Sequence, residues 1–293
     1  MTRLEKKLAA LKSEGRKGLF IYITAGAPDI ETSVKAMLEA ERAGADVIEL
    51  GIPFSDPLAD GPVIQESSVR AIRNGMTVEG VLKIVREIRK SSEMPLVAMG
   101  YINNLLSYGF SSPPTHPQQF STVNDQEALK ASAGHYDGFE KFVVDAKAAG
   151  LDGVILPDVP HEESSAMREI SKRNEFHLVE FITPVTTVER MRETCTDADG
   201  FIYCVSNTGV TGVKELDFSV INRVAREARQ FTSTPMAVGF GIGNAASAVS
   251  AAVETDGVIV GSAVVRRLLD GQFDEAMALI RSMRDALDQH YRN

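Results

Sequence analysis

Eight short apolar runs punctuate the sequence, and each is followed by a loop and a segment of helical period. The runs are Leu19–Thr24, Val47–Leu50, Leu96–Gly100, Gly153–Leu156, Leu178–Thr183, Phe201–Val205, Met236–Phe240 and Gly257–Val260. They are rich in β-branched residues and apolar on successive positions, the pattern of strands buried on both faces of a parallel sheet. Between them, Glu31–Ala43, Val78–Arg89, Phe139–Ala149, Glu162–Arg173 and Phe218–Gln230 each carry an apolar stripe with charges opposite. Gly44 and Gly150 stand where helices end in a left-handed residue. Eight strands alternating with helices predict an α/β chain folded as a (β/α)8 barrel, whose usual size is about 250 residues. A doubly wound sheet is the alternative. It more often sets G-x-G-x-x-G after its first strand, where this chain has Thr24-Ala25-Gly26-Ala27-Pro28.

The chain of 293 residues reads as a single barrel domain with two additions. Leu4, Leu8 and Leu11 recur at i, i+4, i+7, so the N-terminus predicts an extra amphipathic helix. It lacks the apolar core of a secretory signal, and the expected location is cytoplasmic. The second addition, residues 111–138, is an insertion after strand 3. Ser111-Ser112-Pro113-Pro114-Thr115-His116-Pro117 is loop chemistry, and Asn124 with Glu127 resembles a capping box. Removing roughly 28 residues there leaves about 265, an ordinary barrel length.

Catalytic groups of such barrels sit at the C-terminal strand ends and in the loops that follow. Glu49 lies inside the second apolar run, where a carboxylate must be paired, protonated or functional. A salt bridge is the structural alternative, but no run carries an inward basic residue. Asp60 follows in a Pro- and Gly-rich loop. Pro62 suits a first helical position with Gly61 as its cap, which leaves Asp60 without a capping duty. Asp56, before Pro57, is explained by a turn. Three glycine-rich turns follow the last three strands: 206–212, 239–243 and 261–263. Glycines permit close backbone approach to an anion, and barrels often hold phosphate beyond strands seven and eight. Ordinary tight turns are the alternative.

The residues by themselves therefore predict a two-carboxylate enzyme acting on a small phosphorylated molecule. A net charge of −9 argues against a nucleic-acid partner, and no apolar run approaches the roughly 18–20 residues of a membrane span. Cys195 and Cys204 read as free thiols. His116, His135, His161, His177 and His290 are scattered, so no metal site is expected. No inward lysine offers a Schiff base, and no nicotinamide or flavin fingerprint is present.

The stretch from Glu49-Leu50-Gly51-Ile52-Pro53-Phe54 through Ser55-Asp56-Pro57-Leu58-Ala59-Asp60 to Gly61-Pro62-Val63-Ile64-Gln65 resembles the signature of the tryptophan synthase α chain family. Pro157-Asp158-Val159-Pro160, Gly209-Val210-Thr211-Gly212, Gly239-Phe240-Gly241-Ile242 and Gly261-Ser262-Ala263 extend the resemblance from about Leu4 to the C-terminal helix. It implies retro-aldol cleavage of indole-3-glycerol phosphate to indole and glyceraldehyde 3-phosphate in tryptophan biosynthesis. By the family pattern, Glu49, Asp60 and Tyr203 match catalytic positions. Tyr22 and Met99 would line the indole pocket, and Thr211 would meet the aspartate on closure. Gly212, Gly241, Gly261 and Ser262 match a phosphate cradle.

The resemblance implies no cofactor in this chain, with pyridoxal phosphate only in a β-chain partner of an α2β2 complex. Three departures stand out: Asn207 where many relatives carry a basic residue, Ala27 where aspartate is usual, and Tyr101-Ile102-Asn103-Asn104 in place of an Asn-Pro pair. That last loop lies on the partner face in the family, so the insertion there enlarges or obstructs the interface. A stand-alone lyase releasing free indole, a silent barrel that only activates a partner, and a phosphosugar isomerase are the other readings.

Overall fold

The computed structural model describes residues 1–109, 136–206 and 218–292. Helix α1 (Arg3–Ser13) precedes strand β1 (Gly18–Thr24), α2 (Ile30–Arg42) and β2 (Val47–Gly51). Then come α3 (Pro62–Arg73), α4 (Val78–Ile88), β3 (Leu96–Met99) and α5 (Ile102–Leu106). The middle of the chain holds α6 (Asp137–Ala149), β4 (Gly153–Ile155), α7 (Ser165–Arg173), β5 (His177–Ile182) and α8 (Val188–Asp197). The last third is β6 (Ile202–Val205), α9 (Ser219–Ala228), β7 (Met236–Gly239), α10 (Ala245–Ala251), β8 (Gly257–Val260), α11 (Ser262–Leu269) and α12 (Phe273–Tyr291). The eight strands pair in parallel and in sequence order, and β8 returns to β1 to close the barrel. All eight expected strands are present, so the doubly wound alternative falls. Among the described residues no helix is long and apolar enough to cross a membrane.

Two boundaries move for identifiable reasons. Helix α6 starts at Asp137, two residues before the expected Phe139 and inside the segment read as insertion. Gly138 lies so close to α5 that a Cβ there would sit 2.0 Å from the Leu106 carbonyl oxygen. Residues 111–135 of the expected insertion lie outside the described residues. Helix α7 starts at Ser165, not Glu162, because His161–Glu163 forms a 3-10 turn closed by Ser164 donating to the His161 carbonyl at 2.8 Å.

The strand pattern makes two cores. Side chains on the outer strand faces pack under the helices, as the continuous apolar runs require. Those pointing inward, among them Phe20, Val47, Val97, Ile155, Val179, Phe201 and Ile259, fill the barrel together with Leu4, Leu8 and Leu11 of α1. Helix α1 is thus a plug for the N-terminal end of the barrel. Each buried leucine contributes about 1.5–3 kcal/mol. A Thr2/Glu5 capping box fixes its start.

The same end carries a repeated ionic device. Asp46, Asp152 and Asp256 immediately precede β2, β4 and β8. Each accepts the amide of a residue at the start of the neighbouring odd strand: Leu19 at 2.9 Å, Leu96 at 3.0 Å and Met236 at 2.7 Å. Each also meets an arginine: Arg284 at 3.0 Å, Arg89 at 3.1 Å, and Arg229. Asp199, shortly before β6, lies 2.9 Å from Nδ1 of His177, the first residue of β5. Every even strand therefore enters behind an aspartate that pins its odd neighbour.

Candidate active site

At the opposite end, all eight strands or their loops line one cavity of about 960 Å³. Glu49 sits in the register of β2, beside Tyr22 of β1 and Val97 of β3. It is wholly buried, and neither carboxyl oxygen has a hydrogen-bond partner. No cation reaches it among the described residues, so the salt-bridge alternative has no support. Burial alone pushes its pKa up to about 8, which keeps it protonated at neutral pH. A neutral, unpartnered acid aimed into a cleft is poised to give a proton.

Asp60 occupies the loop between β2 and α3. Gly61 caps α3 and Pro62 opens it, as the sequence indicates, so the carboxylate has no capping duty. The Asp60 backbone carbonyl accepts from Gln65 Nε2 at 2.9 Å, which fixes the loop. Its Oδ2 accepts from the Tyr101 hydroxyl at 3.0 Å. Burial raises its pKa to about 6, against the lowering effect of that bond. The two carboxyl groups thus divide into one held neutral and one mostly ionised at pH 7.

An aromatic wall faces them. Tyr203 of β6 packs on Phe181 with ring centroids 5.3 Å apart and on Phe240 at 6.4 Å. Met99 and Ile259 add to the apolar lining. Two glycines make room for the tyrosines. A Cβ at Gly51 would lie 2.1 Å from the Tyr22 hydroxyl oxygen, and one at Gly239 would lie 2.2 Å from that of Tyr203. Burial holds both phenols well above their usual pKa, so they stay protonated.

The far wall carries the glycine turns. Phe240 and Gly241 are successive left-handed residues, φ +73° and +78°, and the former is uncommon for a bulky side chain. The bend is tied to β6 by Ser206 donating to the Phe240 carbonyl at 2.8 Å. Gly261 precedes α11, and Gly241, Gly261 and Ser262 all line the cavity. The first amides of α11 have no intrahelical acceptor and begin at this wall, an arrangement suited to an anion.

The cavity thus joins Tyr22, Glu49, Asp60, Met99, Tyr203, Gly241, Gly261 and Ser262. Thr211, Gly212 and Asn207 lie outside the described residues. Sequence reasoning missed Tyr101, Phe181 and Phe240. Alternation from Val179 places Phe181 inward, and Tyr101 stands just past β3, where barrel chemistry is found. It also missed a buried ion cluster at the cavity edge. There Glu180 lies 3.2 Å from His161 Nδ1 and 3.3 Å from Arg168, which also meets Asp197 at 3.2 Å. Glu5, His177 and Asp199 do bring possible metal-ligand atoms together, at the plugged end. Their contacts there are otherwise explained: Glu5 caps α1, and His177 lies between Thr2 at 2.9 Å and Asp199.

Comparison with known proteins gives one answer. The sequence model of the family described as tryptophan synthase alpha chain matches residues 8–118 and 135–290. The tryptophan synthase alpha chain of Thermoanaerobacter sp. (strain X514) is 38% identical over 292 residues, covering 98% of this chain and all of that protein. The one from Synechococcus elongatus is 38% identical over 290 residues, covering 99% and 98%. Among solved structures, tryptophan synthase subunit alpha from Legionella pneumophila str. Paris superposes with a TM-score of 0.81 at 32% identity, covering 99% of each chain. Tryptophan synthase from Mycobacterium tuberculosis in space group F222 gives 0.82 at 28% identity, covering 100% of this chain and 99% of that one.

Proposed function

The chain belongs to the tryptophan synthase alpha chain family, and from that premise we propose that it cleaves indole-3-glycerol phosphate to indole and glyceraldehyde 3-phosphate. The observation that carries this reading is Glu49. It is buried, protonated and unpartnered, and it shares an aromatic-walled cavity with an ionised Asp60.

The indole ring lies against Tyr203, Phe181 and Met99, with Tyr22 on the adjoining strand. Its N–H donates to the Asp60 carboxylate. Glu49 gives its proton to indole C3, and the ring becomes an iminium whose positive charge Asp60 stabilises. The Glu49 carboxylate then takes the proton from the hydroxyl on the carbon attached to C3. The C–C bond breaks, its electron pair restores the aromatic ring, and that carbon becomes the aldehyde. Glu49 ends protonated, ready for the next cycle. Each such acid or base step is worth about 10²–10⁴ in rate. The phosphate rests on Gly241, Gly261, Ser262 and the first turn of α11; by the family pattern Gly212 would join this cradle and Thr211 would meet Asp60. The substrate's own ring is the electron sink, so the reaction needs no cofactor in this chain.

Pairing with a pyridoxal phosphate-dependent tryptophan synthase beta chain in an α2β2 complex is part of the same reading. The beta chain would meet the C-terminal face, where Leu58 and Val185 are 92% and 75% exposed. Indole release from indole-3-glycerol phosphate, measured with and without a beta chain, tests both parts. A strong rise on adding the partner is expected. High activity indifferent to it would make the chain a stand-alone lyase, and no cleavage in either case would overturn the assignment.

A further inference from the structure

The Pro157-Asp158-Val159-Pro160 stretch and the loop after β3 have no part in the cleavage steps above, yet they are joined to Asp60 by a continuous set of hydrogen bonds. Both carboxylate oxygens of Asp158 accept the Ile102 N–H, at 3.2 and 3.1 Å. This holds the first residue of α5, next to Tyr101. The Tyr101 ring is buried and stacks on Phe54 with centroids 5.0 Å apart and planes 26° from parallel. Its hydroxyl accepts the Ala59 N–H at 3.0 Å and donates to Asp60 Oδ2 at 3.0 Å. Asn104 of α5 donates to the Pro53 carbonyl at 3.1 Å, a second tie to the same loop. The loops after β2, β3 and β4 are therefore one strut.

We propose that Tyr101 is a positioning residue for Asp60, and that Asp158 holds Tyr101 in register through the start of α5. The reading rests on the proposed role of Asp60. Tyr101 occupies one carboxylate oxygen and leaves the other for the indole N–H. It also favours the ionised form, since a bond donated to a carboxylate stabilises its charge. The other titratable groups around the same cavity are Glu49, Tyr22, Tyr203, Asp158, His161, Glu180, Arg190, Arg266 and Arg267. Among the described residues none of them is hydrogen-bonded to the Asp60 carboxylate. Arg266 is engaged with Glu66 at 2.8 Å, Arg267 with the Ala263 carbonyl at 2.7 Å, and the Glu180 cluster is closed on itself.

The test is a carboxyl-carbon NMR titration of protein labelled at aspartate Cγ, with Asp60→Asn to assign the Asp60 signal. It requires no turnover, so it stands whether or not the chain cleaves indole-3-glycerol phosphate. In Tyr101→Phe, which keeps the stacked ring, the Asp60 midpoint is expected to rise by about one pH unit. Asp158→Ala is expected to shift it in the same direction by less. In the cleavage assay, kcat for Tyr101→Phe is expected to fall roughly ten- to hundredfold, the factor lost with one bond to a charged group. KM should change far less, and the acid limb of the pH profile should move up with the titration. An Asp60 midpoint unchanged in Tyr101→Phe overturns the positioning role. A shift in Tyr101→Phe with none in Asp158→Ala overturns the part given to Asp158.

Discussion

The two ends of this barrel treat acidic side chains in opposite ways. At the plugged end, Asp46, Asp152 and Asp256 sit at or near the strand starts, and each meets both a backbone amide and an arginine. At the open end, Glu49 meets nothing and Asp60 meets one phenol. Each end holds both buried carboxylates (Asp46 and Asp152; Glu49) and a partly buried one (Asp256; Asp60), so burial does not separate them; the supply of partners does. A buried carboxylate with amides and a guanidinium around it has its oxygens occupied and serves the fold, even at Asp46, where burial raises the pKa against those partners. One without them keeps a raised pKa and a proton to give.

The sharpest way to break this contrast is to remove each kind of group and see whether rate or stability suffers. Glu49→Gln is expected to lower indole release by about 10³–10⁴-fold, the upper part of the acid–base range, since one group serves two steps. The far-ultraviolet circular dichroism should be unchanged, and near-normal turnover would end the assignment. Asp152→Ala at the other end should do the reverse. Arg89 would keep its carbonyl acceptors but lose its buried counter-charge, at a cost of up to about 3–5 kcal/mol. That lowers Tm by roughly 6–20 °C in a chain of this size, while kcat of the folded fraction stays within about twofold. Asp60→Asn should reduce kcat about 10²-fold with little change in Tm, because its carboxylate caps no helix.

Two pH experiments sharpen the comparison further. The proposed roles require Asp60 ionised and Glu49 protonated, so the rate against pH should be bell-shaped, with limbs near about 6 and about 8 in the free enzyme. A profile flat from pH 5 to 9 would contradict the division of roles. The smallest effect is on stability. The folded pKa of Glu49 is about 8, above its ordinary 4.5, so folding takes up a proton between those values. Stability on this account is present below pH 4.5 and is lost as pH rises through 8. Glu49→Gln removes the loss. Relative to the unaltered chain its Tm should be higher at pH 8.5 than at pH 5, the gap opening between about 4.5 and 8.

Much of the molecule is legible in the sequence because the relevant signals are local. The eight strands appear as apolar runs, with ends displaced by no more than a residue, and the plug helix appears as Leu4, Leu8 and Leu11. Gly61 and Pro62 mark the start of α3. Glu49 declares itself by being a carboxyl group within an apolar strand, a conflict between residue and environment that the proposed catalytic role resolves. Less was read from the aspartates at residues 46, 152, 199 and 256. Each stands just ahead of an even strand in plain view, but its partners lie 20 to more than 200 residues away.

The alternation of apolar runs and helical stripes, set by strand and helix periods of 2 and 3.6 residues, determined the barrel, its strand order and the end where chemistry belongs. Tertiary structure alone decided which carboxyl groups would be satisfied. It brought Tyr101 to Asp60 across 41 positions and Asp158 to Ile102 across 56, and it left Glu49 with no partner at all. The reason is physical. A pKa depends on desolvation and on the donors within about 3 Å, and barrel closure, not the order of residues along the chain, determines which donors those are.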